Sequence, residues 1–220
     1  MTNDFLMHGS AELKLTFTGD YRIPHLNDYY LELQEIITKQ CNAKYPEVFV
    51  SHYKSIYSSP INPPSWMIIE LLTAGQLSRL YAGLANKQDK KDIANAFGLN
   101  HTVFGNWLHA IVYCRNLCAH HSRFWNRDFV IQPVIPKSAL PLPWITSTIT
   151  NNRRSFYILS IIKYFLQSIN PNSGFKEKIV MLMNKYPETP IKYMGINTDS
   201  NGELQDWQSE PIWLISVLSN

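Results

Sequence analysis

Glycine, acidic side chains and cysteine are all scarce in this chain, and each shortage narrows what it can be. Only 9 of the 220 residues are glycine, and strict apolar/polar alternation is rare, which argues against a sheet-based fold. Three cysteines are an odd number and make no disulfide framework, so a reducing compartment, the cytosol, is expected. No run approaches the roughly 18 to 20 uninterrupted apolar residues that cross a bilayer; even YILSIIKYFLQSI is broken by Lys163. The start, MTNDFLMHGS, has no basic region leading into an apolar one, so neither a secretory signal nor a membrane partner is expected. Internal repeats and low-complexity tracts are also lacking, which excludes repeat architectures.

What is present is apolar matter in quantity: 45% hydrophobic and 13% aromatic residues against 17% charged. That ratio excludes a disordered chain and supplies enough core for a globular one. The net charge of +3 hides an uneven distribution. Between Ile93 and Lys176 the one acid is Asp128, against Arg115, Arg123, Arg127, Lys137, Arg153, Arg154, Lys163 and Lys176. Such a stretch carries a positive field that favours polyanions, nucleic acid first among them.

The recurring pattern is helical. LNDYYLELQEIITKQCNAKY (26–45) reads as an amphipathic helix ending before Pro46, and PEVFVSHYKSIY as one opened by a proline. PPSWMIIELLTAGQLSRLYAGLA is apolar with a weak point at Gly75, and KQDKKDIANAFG is a short polar helix with Gly98 as its stop. HTVFGNWLHAIVYCRNLCAHHS follows as a long helix, then PVIPKSALPLPW, an extended excursion with four prolines, then helices in RRSFYILSIIKYFLQSI and SGFKEKIVMLMNKY. The expected fold is an all-α helical bundle with an irregular Pro-rich excursion. Its expected organisation is an irregular arm over 1–25, a helical domain over 26–186 and a C-terminal arm over 187–220 packed on that domain.

The chemistry concentrates in CRNLCAHHSRFWNR, residues 114–127. At about 100° per residue, a helix from His101 to His121 has two stripes. Trp107, Ile111, Cys114, Cys118 and His121 form one, which is expected to face the core. His109, Tyr113, Asn116 and His120 form the other, roughly opposite and wholly polar or amphipathic. A buried helix has little use for such a stripe unless a partner, ligand or water meets it.

Cys114, Cys118 and His121 share a face, as zinc ligands would. A zinc site, however, draws four ligands from two paired clusters, and no second Cys or His pair exists; Cys41 and His52 stand alone. Two-metal chemistry needs clustered carboxylates, and Asp128 is isolated. A Cys–His nucleophile pair has no oxyanion loop beside it. No metal and no cofactor is therefore expected. Arg115, Asn116, His120 and His121 remain. Histidine moves protons near neutrality and arginine clamps phosphate, a pairing suited to RNA, whose 2′-hydroxyl is a built-in nucleophile. A structural arginine and a histidine at a helix C-terminus would produce the same spacing. Arg115 lies about 140° around the helix from His120, whereas Asn116 lies about 40° from it. One helix does not easily focus both on one phosphate, so a homodimer with a composite site is expected.

Arg115, Asn116 and His120, with His121 as a second match, fit the Arg, polar residue and His signature of the HEPN superfamily of helical RNases. The longer RNLCAHHSRFWNR, preceded by PPSWMIIELLTAGQLSRLY and FGNWLHAIVYC, resembles the Abi-like abortive infection family within it, from about His52 to Pro136. The resemblance implies a HEPN-like bundle, a dimer joining two signature helices, and metal-independent cleavage of RNA in phage defence or a toxin–antitoxin system. It further implies an RNA or protein that restrains the toxin. In that frame Arg115 holds the scissile phosphate, His120 is general acid or base, Asn116 orients it, and His121 assists, binds RNA or sits in the core. Arg123, Arg127, Trp125, His109 and Tyr113 are the candidate RNA contacts. A catalytically silent module binding RNA or a protein partner would carry the same residues. Family members usually continue upstream, so the chain is expected to be a short member, a fragment or one part of an assembly. Ser122 stands where HEPN toxins controlled by nucleotidylation carry tyrosine, so that control is not expected.

Overall fold

The computed structural model describes residues 24–84, 86–147, 151–198, 204 and 206–214. The arm expected over 1–25 falls almost wholly outside the described residues, as do 215–220. Among the described residues the chain is all-helical with no β-sheet, as expected, and one antiparallel bridge joins Thr198 to Leu204. It divides into two compact units, Met1–Lys90 and Lys91–Asn220.

The first unit contains α1 (Pro24–Cys41), α2 (Val48–Ile56), α3 (Ser65–Glu70) and α4 (Ala74–Gly83). Leu33, Ile37 and Cys41, at helical spacing on α1, form its core with Val50, Ile68 and Leu72. α1 ends four residues earlier than the proline signal implied. Lys54 Nζ from α2 caps that end, donating to Cys41 O at 2.6 Å and Asn42 Oδ1 at 2.7 Å. Glu32 and Arg79 clamp α1 to α4 through two hydrogen bonds of 3.2 and 3.0 Å. The apolar stretch does break, but at Thr73 rather than Gly75. Thr73 forms a capping box with Gln76 that starts α4, so a cap sets the boundary and not glycine flexibility.

α5 (Lys87–Asn95) spans the boundary between the units. Past it, Gly98 lies at φ 63°, and a Cβ there would strike the Pro141 ring, so glycine is required by conformation and by contact. The second unit then follows with α6 (His101–Ala119), capped by Asn100 through Thr102 N at 2.9 Å, α7 (Ser155–Ile169), α8 (Phe175–Lys185) and α9 (Pro211–Leu214). Two 3-10 turns, Ile191–Met194 and Trp207–Ser209, lie between α8 and α9.

α6 and α7 pack through a ring cluster in which Trp107 lies 4.8 Å from Trp144, 5.5 Å from Tyr164 and 6.3 Å from Phe165. The Pro-rich excursion is irregular, as expected, and tied down at Val134. Its N–H donates to Asn106 Oδ1 at 2.7 Å, and its carbonyl accepts from Trp107 Nε1 at 2.9 Å and Tyr157 OH at 3.0 Å. These bonds give a segment without helical pairing the partners its backbone needs. α9 docks on α7 through Trp213, which stacks on Phe156 at 6.1 Å and donates from Nε1 to Ser160 Oγ at 3.1 Å.

Candidate active site

One face of α6 is buried as far as Cys114, and the helix then emerges. Phe104, Trp107, Ala110, Val112 and Cys114 are buried, whereas Arg115, Asn116, Cys118, His120 and His121 are exposed and Leu117 is half-buried. This corrects the expectation that Cys118, with His121, faces the core. The wheel gives a side chain's direction correctly, but no neighbouring element covers that direction beyond Cys114. Cys114 itself packs with Phe129 and Ile158. Burial, with Cys118 beside it, pushes the Cys114 thiol up to about 12, so it stays protonated and is a poor nucleophile or metal ligand. Among the described residues no three His, Cys, Asp or Glu side chains group as metal ligands would. All three cysteines are free thiols.

The helix also ends sooner than its pattern. Ala119 is its last residue, His120 the C-cap and His121 the residue beyond, at φ 53°. His121 N donates to Cys118 O at 3.0 Å and Ser122 N to Leu117 O at 2.9 Å, the paired bonds of a Schellman closure. Its left-handed position normally takes glycine, because a Cβ costs energy there. Here it holds an exposed histidine.

Around that closure the polar groups lie in sequence. Arg115 Nη1 donates to Asn116 Oδ1 at 3.2 Å, and Asn116 O accepts from His120 N at 3.0 Å. Arg115, Asn116 and His120 all lie exposed at the end of α6, with Arg115 and His120 about 140° apart around the axis and His121 turned onward by its left-handed backbone. His109, about two turns before Asn116 on the polar stripe, is exposed. Tyr113 is held at the core edge by Phe129, with ring centroids 6.2 Å apart at 90°.

Arg123, Trp125 and Arg127 lie in the loop after α6. Arg123 is exposed and Arg127 half-buried; Trp125 packs edge-on against Tyr193 at 5.9 Å. Its indole N–H is buried and has no acceptor among the described residues. Asp128 is occupied by Arg154, Nε to Oδ1 at 3.1 Å, and Arg154 Nη1 also donates to Asn126 Oδ1 at 2.9 Å. Phe129 N donates to Arg153 O at 2.9 Å. Sequence spacing gave no sign that Arg153, Arg154 and the turn at Tyr193 border this loop, since such proximity depends on tertiary packing. Asn126 at φ 49° is the one local signal, because asparagine tolerates left-handed turns.

An all-helical protein whose longest described helix ends in an exposed Arg–Asn–His cluster, followed by a basic and aromatic loop, is the class that fold and site define. A model of the Abi-like protein family matches residues 13–126, just over half of the chain and the whole of that cluster. The chain belongs to the Abi-like family, and membership supports an abortive-infection type of function. No curated protein and no solved structure matches it. Among the described residues, no helix is long and apolar enough to cross a membrane.

Proposed function

We propose that this chain is a metal-independent endoribonuclease of a phage-defence or toxin–antitoxin system acting in the cytosol. The observation that carries the reading is the exposed Arg115–Asn116–His120 cluster at the end of α6 in a member of the Abi-like family. The 2′-oxygen of RNA attacks the adjacent phosphorus while a base takes its proton, and the P–O5′ bond breaks as an acid protonates the leaving oxygen. The products are a 2′,3′-cyclic phosphate and a 5′-hydroxyl end. His120 supplies the proton transfer, Arg115 neutralises charge developing on the phosphoryl oxygens, and Asn116 orients the neighbouring groups. His121 is the second imidazole of the site. Arg123, Arg127, Trp125, His109 and Tyr113 contact RNA.

Arg115 and His120 diverge around one helix by about 140°. A homodimer that faces two α6 ends across a two-fold axis lets one copy's arginine serve the other copy's histidine. An RNA or protein antitoxin would act by covering that joint site. The same divergence favours the second reading, a catalytically silent module that binds RNA or a protein partner, if the chain stays monomeric.

The test incubates purified protein with mixed RNAs in EDTA and compares wild type with His120→Ala and Arg115→Ala. Cleavage that persists in EDTA and falls at least 100-fold in both variants, about the lower bound for losing general acid–base catalysis, supports the enzyme. Wild type that binds RNA without cutting it supports the silent module. Light scattering reports the dimer, and a mass of 25.5 kDa at micromolar concentration with and without RNA removes the composite site.

A further inference from the structure

Three chain segments far apart in sequence meet just past the α6 end. The 122–130 loop is joined to residues 153–154 by Phe129 N to Arg153 O and by the Arg154 bonds to Asp128 and Asn126. The 3-10 turn Ile191–Met194 is joined to the loop by the Trp125–Tyr193 ring contact. It is joined to Arg154 by Gly195, at φ 86°, where a Cβ would lie 2.9 Å from Arg154 Cγ. Arg154 neutralises the one acid of the loop, and the remaining charges of the cluster are Arg123, Arg127, Arg153 and Lys192. Tyr193 stays 44% exposed beside them, with Lys192 Nζ 5.4 Å from its ring centroid.

Basic side chains interleaved with a half-exposed aromatic pair are what single-stranded nucleic acid uses. Cations follow the phosphates while rings stack on unpaired bases without regard to sequence. Trp125 follows His121 by four positions, at most about 14 Å of chain, so a strand leaving the cleavage site meets this cluster within a few nucleotides.

We propose that Trp125, Tyr193, Lys192 and Arg153 form a track for single-stranded RNA flanking the scissile phosphate. The proposal rests on the ribonuclease reading for its substrate class, but its binding is measurable without cleavage. Fluorescence anisotropy with a labelled single-stranded oligoribonucleotide in EDTA, in a His120→Ala background, gives affinity and salt dependence. Tyr193→Ala weakens binding about 5- to 100-fold, as losing one stacked base does, while Tyr193→Phe retains it. Lys192→Ala and Arg153→Ala each make the plot of log affinity against log salt shallower by about 0.7. Lys192 is exposed, so its substitution leaves the fold intact, and circular dichroism checks the others. Affinity unchanged within twofold and an unchanged salt slope in all three overturn the track, whether or not wild type cleaves. A wild type that neither binds nor cleaves this RNA overturns it too. Binding weakened by these substitutions in a protein that never cuts RNA upholds the track and removes the ribonuclease.

Discussion

The two ends of α6 belong to one continuous helix and do opposite work. From Phe104 to Cys114 the helix drives Trp107, Ala110 and Val112 into a cluster of rings; from Arg115 onward no residue is fully buried. Trp107 illustrates the first half, with no exposed surface, three ring neighbours and a satisfied indole N–H. His121 illustrates the second, exposed and held at a positive φ. Stability is concentrated where the helix enters the unit, and chemistry is available where it leaves. Substitutions at the first end should therefore act through folding, and those at the second through activity.

Trp107→Ala gives the largest effect. It removes a fully buried ring and leaves the Val134 carbonyl with Tyr157 OH as its remaining side-chain donor. A cost of about 3–5 kcal/mol is expected, read by urea or thermal unfolding, with RNA cleavage lost only in proportion to the unfolded fraction. Loss of activity in a variant of wild-type stability would break the division between the two ends.

The same division explains what could be read from the sequence. Helices, the Pro-rich excursion and the buried stripe through Trp107 and Cys114 were legible, because periodicity reports direction and composition reports class. Cys118 was misplaced because direction does not reveal whether anything lies opposite. The break at Thr73 was missed because glycine in a helical run reads as the weak point, whereas the reciprocal bonds with Gln76 were formed two residues earlier. That Arg115, Asn116 and His120 share the end of one long helix was legible because the pattern is local. The neighbours of the loop around Trp125 were not, since Arg153 reaches Phe129 and Tyr193 reaches Trp125 only through tertiary packing.

A smaller effect is expected at Glu210, in the acidic tail of the same unit. Burial alone would raise its carboxyl, but bonds from Ser147 and Thr146 outweigh it and hold it below the usual carboxylate range. A carboxylate favoured by the folded state stabilises fully above its unfolded value of about 4.3, and that stabilisation is lost as pH falls through the lowered folded value. Wild type should therefore lose more stability than Glu210→Gln between about pH 5 and pH 3, measured by urea midpoints at each pH. Parallel curves would place the stabilisation of this tail in Trp207, Ile212 and Trp213 alone.

The smallest change in stability, with the opposite sign, belongs to His121. A non-glycine residue in the left-handed region costs of order 1–2 kcal/mol, and glycine removes that cost while giving back part of it as chain entropy in the unfolded state. His121→Gly should stabilise by about 0.5–1 kcal/mol, and His121→Asn, which tolerates the same backbone, should fall between glycine and histidine. Both keep the closing bonds from Cys118 O and Leu117 O, so neither disturbs His120 through the backbone. If the imidazole serves the reaction, cleavage declines in both variants as the melting temperature rises, the signature of stability conceded at a working site. Cleavage that survives in His121→Gly alongside the gain in stability assigns the proton transfer to His120 alone and leaves His121 as a strained cap.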